Sequence, residues 1–93
     1  MLKEITSKEL LKKLPSSIQL IDIREPYEVE DGHIAGNINI PMGSILEKIN
    51  TLSKTKDIII YCNTGNRSKP VVFMLHKLHN IISYNLKGGY KNF

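Results

Sequence analysis

The sequence is poor in cysteine and in aromatic residues. Its 93 residues contain one cysteine, Cys62, and no tryptophan, with four tyrosines and two phenylalanines as the aromatic side chains. One cysteine can form neither an internal disulfide nor a cysteine-rich zinc site. A lone cysteine is most often a small buried apolar residue, so any reactivity depends on its neighbours.

Long hydrophobic runs are also missing. The densest aliphatic segment, Ile18 to Ile23, already contains Asp22 and is followed at once by Arg24 and Glu25. A bilayer crossing needs about 20 apolar residues, and the first residues lack the apolar region and cleavage site of a secretory signal. We therefore expect a cytoplasmic protein without a membrane span. The alternative that stays open is a leader sequence that has already been cleaved off.

Arginine is scarce although the chain is basic. The formal net charge is +4, and the 13 basic residues are lysines spread along the chain and only two arginines. Nucleic-acid binders usually combine basic clusters with aromatic stacking platforms, and the longest basic run here is Lys12-Lys13. The composition argues against a nucleic-acid partner, while the mild positive charge favours small anionic substrates.

Strand and helix patterns alternate along a chain that is long enough for one core, so we expect a single domain over residues 1–93. The predicted extended segments are Ile18–Ile23, a short piece at Ile38 and Ile40, Asp57–Cys62 and Ile81–Leu86. Two of them are dense aliphatic runs, which is typical of strands covered on both faces. This pattern predicts an α/β fold with a small, mainly parallel sheet.

Helical patterns fill the intervals between these strands. The first has a capping box at Thr6 and Glu9 and ends near Pro15; others begin at Pro26 and after Ser68. Apolar residues at helical spacing predict another amphipathic helix through Ile45, Ile49 and Leu52, and a buried face formed by Val71, Val72, Leu75 and Leu78. A short tail from Tyr90 to Phe93 follows a turn at Gly88-Gly89.

Cys62 ends a predicted strand and is followed by a turn-forming segment and a helix. In open α/β sheets ligands sit outside the carboxyl ends of strands, which places Cys62 where a nucleophile is expected. Amides of the loop, the amino terminus of the helix and Arg67 would each stabilise a thiolate. The same cradle would hold an oxyanion or a persulfide anion.

Three segments in order along the chain resemble the rhodanese-like domain family. Residues 62–68 match its Cys-x-x-Gly-x-Arg-Ser active-site loop. Residues 22–28 and 32–41 look like its amino-terminal signature, and residues 86–90 resemble its carboxyl-terminal one. The resemblance implies a rhodanese-like small parallel β-sheet flanked by helices on both faces.

The resemblance also implies a sulfurtransferase of the thiosulfate sulfurtransferase type. Cys62 would accept sulfane sulfur from an anionic donor such as thiosulfate as a persulfide, and would pass it to cyanide, a small thiol or a protein thiol. No metal or organic cofactor is implied. The substrate-binding residues would be those of the loop: Asn63, Thr64, Gly65, Asn66, Arg67 and Ser68. Arg67 would either hold the sulfonate-like end of the donor or fix the loop, and the small size of the domain predicts that the loop is shallow and open.

Two other functions stay open. A partner-dependent sulfur carrier or persulfide-binding module with little turnover of its own would use the same Cys62 and Arg67. A phosphatase of the Cdc25 type would use a loop with five residues between the cysteine and the arginine, whereas four separate Cys62 from Arg67. The shorter loop makes a tighter cradle, which favours sulfur over phosphate.

Three polar residues outside the loop are expected to support the site. Asp22 and Arg24 lie at i and i+2, so they share one face at the strand end and can join a common polar network. His33 is expected to tie its loop through a side-chain hydrogen bond. A metal site is not expected, because His76 and His79 lack a third ligand nearby.

Overall fold

The strands form one parallel sheet with two short strands at its edges. The computed structural model describes residues 2–14 and 17–93. Its strands are β1 (Glu4–Ile5), β2 (Ile18–Asp22), β3 (Ile38–Asn39), β4 (Asp57–Tyr61) and β5 (Tyr84–Leu86). Their order across the sheet is β1-β5-β4-β2-β3, and every pair is parallel. The predicted α/β fold is confirmed, and β4 lies at the centre of the sheet.

Helices connect these strands. The α-helices are α1 (Ser7–Lys13), α2 (Pro26–Glu30) and α3 (Ser68–His79). The capping box predicted for α1 is present: Thr6 Oγ1 accepts the Glu9 N–H at 3.1 Å, and Glu9 Oε1 accepts the Thr6 N–H at 2.9 Å. The predicted end near Pro15 lies outside the described residues, within which α1 ends at Lys13.

Three details of the predicted elements are wrong. The segment around Ile45 forms two 3₁₀ helices, Met42–Ser44 and Leu46–Thr51, instead of an α-helix. Only Ile45 and Leu52 are fully buried there, so few contacts oppose the tighter winding. Leu78 is exposed because all residues from 76 to 80 project beyond the core. The last strand begins at Tyr84, whereas Ile81 and Ile82 precede it as irregular chain.

The core has one layer on each face of the sheet. Along β4, Ile58 and Ile60 join one buried cluster, while Ile59 and Tyr61 join the other. The first cluster is completed by α3 and the 3₁₀ segment, and the second by α1 and the chain after α2. Successive side chains of a strand point to opposite faces, so β4 needs apolar residues at consecutive positions. This explains its continuous aliphatic sequence.

A buried ion pair lies at the carboxyl end of β2. Arg24 Nη2 is 2.8 Å from Asp22 Oδ2, and the side chains are 4% and 0% exposed. The Arg24 guanidinium also donates to the Gly32 carbonyl at 2.7 Å and lies over the rings of Tyr61 and Tyr90. Donation to Asp22 raises the pKa of Arg24. Asp22 therefore survives inside an aliphatic strand because a buried cation compensates it.

No helix within residues 2–14 and 17–93 is long and apolar enough to cross a membrane.

We predict that Asp22→Asn destabilises the fold by about 3 to 5 kcal/mol, because it leaves the Arg24 charge buried without its partner. The matched control is Asp57→Asn, which breaks the exposed Lys13–Asp57 pair at 3.4 Å and should cost less than about 1 kcal/mol. Urea unfolding of both variants measures the difference. Equal losses would show that burial does not determine the contribution of the Asp22–Arg24 pair.

Candidate active site

Cys62 stands at the carboxyl end of the central strand. β4 ends at Tyr61, and α3 begins at Ser68, so the residues between them form a loop at the edge where the parallel strands end. The chain after β5 holds the start of this loop: the N–H of Tyr90 donates to the Cys62 carbonyl, and that of Lys91 to the Asn63 carbonyl, each at 2.8 Å. The position of Cys62 is thus fixed by β4 before it and by backbone hydrogen bonds from the chain after β5.

The loop curls around the sulfur of Cys62. The Gly65 N–H donates to Sγ at 3.1 Å, with Gly65 in a left-handed conformation at φ +94°. Ser68 Oγ lies 3.3 Å from Sγ. Cys62 is 0% exposed and belongs to the buried cluster that α3 completes, so the prediction of an open site is wrong at this residue.

Opposing effects act on the thiol of Cys62. Burial raises its pKa, whereas the Ser68 hydroxyl and the backbone N–H groups of Ser68, Gly65 and Arg67 lower it. Together the hydrogen bonds outweigh the effect of burial, so the pKa of Cys62 lies below its ordinary value. Donors that converge on one sulfur stabilise an anion there. The arrangement can therefore hold a thiolate or an anion bonded to it.

Arg67 is engaged by a carboxylate from α2. Its Nη1 and Nη2 donate to Oε1 and Oε2 of Glu28, both at 2.8 Å. Donation from Arg67 holds the pKa of Glu28 at about 2, and the same pair raises the pKa of Arg67. This bidentate ion pair connects the loop to α2. The Arg67 side chain is 39% exposed, so it remains in partial contact with solvent.

The other predicted loop residues have different surroundings. Thr64 and Asn66 are exposed, Asn63 is partly buried, and Gly65 and Ser68 are buried. Among the predicted loop residues, Gly65 and Ser68 therefore make the direct hydrogen bonds to Sγ.

The three supporting residues lie beside the site. Arg24 stacks on Tyr90, with 4.6 Å from its guanidinium carbon to the ring centre, and the N–H of Tyr90 holds the Cys62 carbonyl. The Asp22–Arg24 pair thus reaches the nucleophile through one aromatic residue. His33 is exposed, and its Nδ1 lies 3.1 Å from the Val29 carbonyl.

Sequence analysis missed three residues of the site: Glu28, Asn85 and Glu4. Glu28 lies within the amino-terminal signature but carried no predicted role. Asn85 immediately precedes the carboxyl-terminal signature, and a fully buried asparagine in a strand needs a polar partner, here Ser68 Oγ. Nothing in the sequence around Glu4 indicates that it contacts Asn85, since 81 positions separate them.

Metal ligands do not gather in the described part of the chain. Within residues 2–14 and 17–93, no three histidine, cysteine or acidic side chains lie close enough to hold an ion. His76 and His79 are exposed on the last turn of α3.

The arrangement matches a known family. The model of the rhodanese-like domain matches residues 6–93. The chain belongs to the rhodanese-like domain family. It is 33% identical to a rhodanese-like domain protein from Staphylococcus aureus of known crystal structure, with a TM-score of 0.89, covering 98% of this chain and 90% of that one. The family assignment predicted from the three motifs is confirmed.

Two relatives from Bacillus subtilis show the range of proteins that carry this domain. The putative sulfurtransferase YtwF is 37% identical over 95% of this chain and 86% of its own length. The uncharacterized protein YqhL is 42% identical over 78% of this chain, and the match spans 58% of YqhL. Thus the rhodanese-like domain accounts for most of YtwF and for little more than half of YqhL.

We predict that Gly89→Ala displaces the active-site backbone. Gly89 has φ +66°, and a Cβ there would lie 2.5 Å from the Asn63 oxygen and 2.6 Å from the Cys62 oxygen. Gly36→Ala is the matched control, because Gly36 has φ +86° but no atom within 4 Å of a Cβ. The control should lower the free energy of unfolding by about 1 to 2 kcal/mol through backbone strain alone. Gly89→Ala should lower it clearly more.

Urea unfolding measures both losses, and amide chemical shifts at Cys62 report the displacement. A Gly89→Ala variant as stable as the control, with unchanged shifts, would contradict the close approach.

Proposed function

We propose that this rhodanese-like domain is a sulfurtransferase that carries sulfane sulfur on Cys62 as a persulfide. The observation that carries the proposal is the convergence of N–H and hydroxyl groups on Sγ, which lowers the pKa of a thiol that burial alone would raise. The thiolate is the nucleophilic form of cysteine. A relative such as YtwF, named a putative sulfurtransferase, supports the same reaction class.

The first half of the reaction loads sulfur. The Cys62 thiolate attacks the outer sulfur of an anionic donor such as thiosulfate, and a bond forms between Sγ and that sulfur. The bond from the outer sulfur to the sulfonate breaks, and its electron pair leaves with sulfite. The charge of the thiolate leaves with sulfite, and the outer sulfur keeps the negative charge that it had in the donor. Sγ thus becomes neutral, and no oxidant or proton is required.

The second half of the reaction transfers the sulfur from Cys62 to an acceptor. A thiolate or cyanide attacks the outer sulfur, the bond between the two sulfurs breaks, and the electron pair returns to Sγ as thiolate. Such double displacement splits one transfer into two steps with a covalent intermediate. The N–H groups that lower the pKa of Cys62 serve both steps, because each begins or ends with an anion in the loop.

Burial of Cys62 limits how the donor arrives. The side chain is 0% exposed, so we infer that the chain around Sγ, including the loop from Asn63 to Ser68, moves before a donor reaches it. This favours one alternative among the other functions, a sulfur carrier that turns over slowly until a partner protein opens the loop. A phosphatase is disfavoured because the loop is one residue shorter than the phosphate-binding loop of the Cdc25 type.

Intact-protein mass spectrometry tests the persulfide. After incubation of the reduced chain with thiosulfate, we expect a gain of about 32 Da that disappears when cyanide or a thiol is added. Cys62→Ser, which retains the size and hydrogen bonding of the side chain, should gain nothing. A wild-type chain that gains no sulfur, or a Cys62→Ser variant that does, would overturn the proposal.

Steady-state assays separate the transferase from the carrier. Repeated turnover of thiosulfate by the chain alone supports the transferase. One equivalent of sulfur loaded and then retained would instead identify the partner-dependent carrier.

For Arg67, the pair with Glu28 supports a role in fixing the loop. We predict that Arg67→Ala and Glu28→Gln lower kcat/KM for thiosulfate by similar factors, and that the double variant loses no more than either single one, because both changes break one interaction. If Arg67 instead holds the donor, Glu28→Gln would leave kcat/KM unchanged or raise it, since the guanidinium would be released. Assays over a range of thiosulfate concentrations decide between the two.

A further inference from the structure

A chain of polar side chains leads from Cys62 to the first strand. Ser68 Oγ lies 3.3 Å from Cys62 Sγ and also contacts Oδ1 of Asn85, whose side chain is fully buried. Asn85 Nδ2 in turn donates to Glu4 Oε2 at 2.9 Å. The loop after β4 thus contributes Cys62, and α3, β5 and β1 contribute one residue each. The sulfur-transfer steps described above give no role to Asn85 or Glu4.

Glu4 determines which way the Asn85 amide faces. An ionised carboxylate only accepts hydrogen bonds, so the amide must turn its NH₂ group toward Glu4 and its oxygen toward Ser68. The Asn85 main chain is held in place as well, because its N–H donates to the Lys3 carbonyl at 2.9 Å. Asn85 Oδ1 is therefore an oriented acceptor for the Ser68 hydroxyl.

The Ser68 hydroxyl has one hydrogen and three neighbours that could accept it. These are Cys62 Sγ, Asn85 Oδ1 and the Gly65 carbonyl, which is 3.2 Å away. The Gly65 carbonyl already accepts the N–H of Lys69. Sγ and Asn85 are thus the main competitors, and the hydroxyl can satisfy only one of them at a time.

We propose that Asn85, oriented by Glu4, is a positioning residue that takes the Ser68 hydrogen whenever Cys62 Sγ carries no negative charge. This inference rests on the proposed sulfur transfer. While Sγ is a thiolate it is the stronger acceptor, because hydrogen bonds to ions are stronger than neutral ones, and Ser68 donates to it.

Once sulfur has been loaded, the charge lies on the outer sulfur of the persulfide and Sγ is neutral. The hydrogen then rotates back to Asn85. No bond to hydrogen breaks in this movement, and the buried hydroxyl has an acceptor at both stages, as buried polar groups require. When the sulfur is passed on and Sγ becomes a thiolate again, the hydroxyl returns to it.

Substitution of Asn85 does not change the charged residues near the site. Arg67 is paired with Glu28 of α2, and Arg24 is paired with Asp22 of β2. Glu4 itself lies on the far side of Asn85 from Sγ. A change in the titration of Cys62 on substitution of Asn85 therefore reports the competition for the Ser68 hydrogen.

The test is the pKa of Cys62, read from the ultraviolet absorbance of the thiolate with Cys62→Ser as the blank. Asn85→Leu removes the competing acceptor, so the thiol form loses one neutral hydrogen bond and we expect the pKa to fall by up to about 1. Ser68→Ala removes the donor and should raise the pKa. In the Ser68→Ala background, Asn85→Leu should change nothing.

Opposite signs distinguish this role from a structural one, because general loosening of the site would move both variants the same way. An unchanged or raised pKa in Asn85→Leu, or an effect that persists without the Ser68 hydroxyl, would overturn the inference.

Glu4 provides a second test that leaves the core intact, since this residue is exposed. Glu4→Ala frees the Asn85 amide to turn its NH₂ group toward Ser68, so the pKa of Cys62 should fall. Glu4→Gln is the graded control: its amide can either accept from Asn85 or donate to it, so the orientation is only partly lost and the pKa should fall by less than in Glu4→Ala. A Glu4→Ala value equal to wild type would contradict the orienting role.

These titrations need no sulfur donor. Suppose that the chain gains no sulfur from thiosulfate, but that the pKa of Cys62 falls in Asn85→Leu and rises in Ser68→Ala. This result would overturn the proposed transfer and leave the competition for the hydrogen standing. A chain that gains sulfur without those pKa changes would overturn the positioning role alone.

Discussion

The pairing of β4 with β2 on one side and β5 on the other is the constraint on which the rest of the structure depends. Five register pairs to β2 and two to β5 hold the central strand. Because every strand is parallel, all carboxyl ends meet at one edge, and the residue after β4 is placed there. The ion pair of β2 and the turn after β5 reach Cys62 at that edge for the same reason.

This placement explains how a buried cysteine can have a lowered pKa. Removing a thiol from water disfavours its charged form, and Cys62 is completely covered. The loop, however, contributes N–H groups that hydrogen-bond to the sulfur, and together with the Ser68 hydroxyl they outweigh the effect of burial on the pKa. A buried sulfur can therefore hold an anion at this position.

Both arginines near the site form ion pairs with a carboxylate. Arg24 is buried with Asp22, and Arg67 is partly exposed with Glu28. The first pair is enclosed by aromatic rings and belongs to the support of the fold, whereas the second joins the loop to α2 at the surface. Two arginines in one small chain thus have different surroundings, which their spacing from neighbouring residues does not reveal.

Local sequence determined much of this protein. The capping box of α1, the aliphatic pattern of β2 and β4, and the position of Cys62 between a strand and a helix all follow from neighbouring residues, because propensity and periodicity act over a few positions. The two-residue strand β1 was not predicted, since so short a strand carries no periodic pattern and forms only because β5 is beside it.

Only the tertiary structure decided what surrounds the sulfur. The partners of Arg67 and Ser68 come from α2 and β5, 39 and 17 positions away, and Glu4 lies 81 positions from Asn85. Such contacts depend on which strands become neighbours in the sheet, which no local pattern encodes. The burial of Cys62 is of the same kind, because Cys62 belongs to a cluster whose members come from β2, α3 and the 3₁₀ segment.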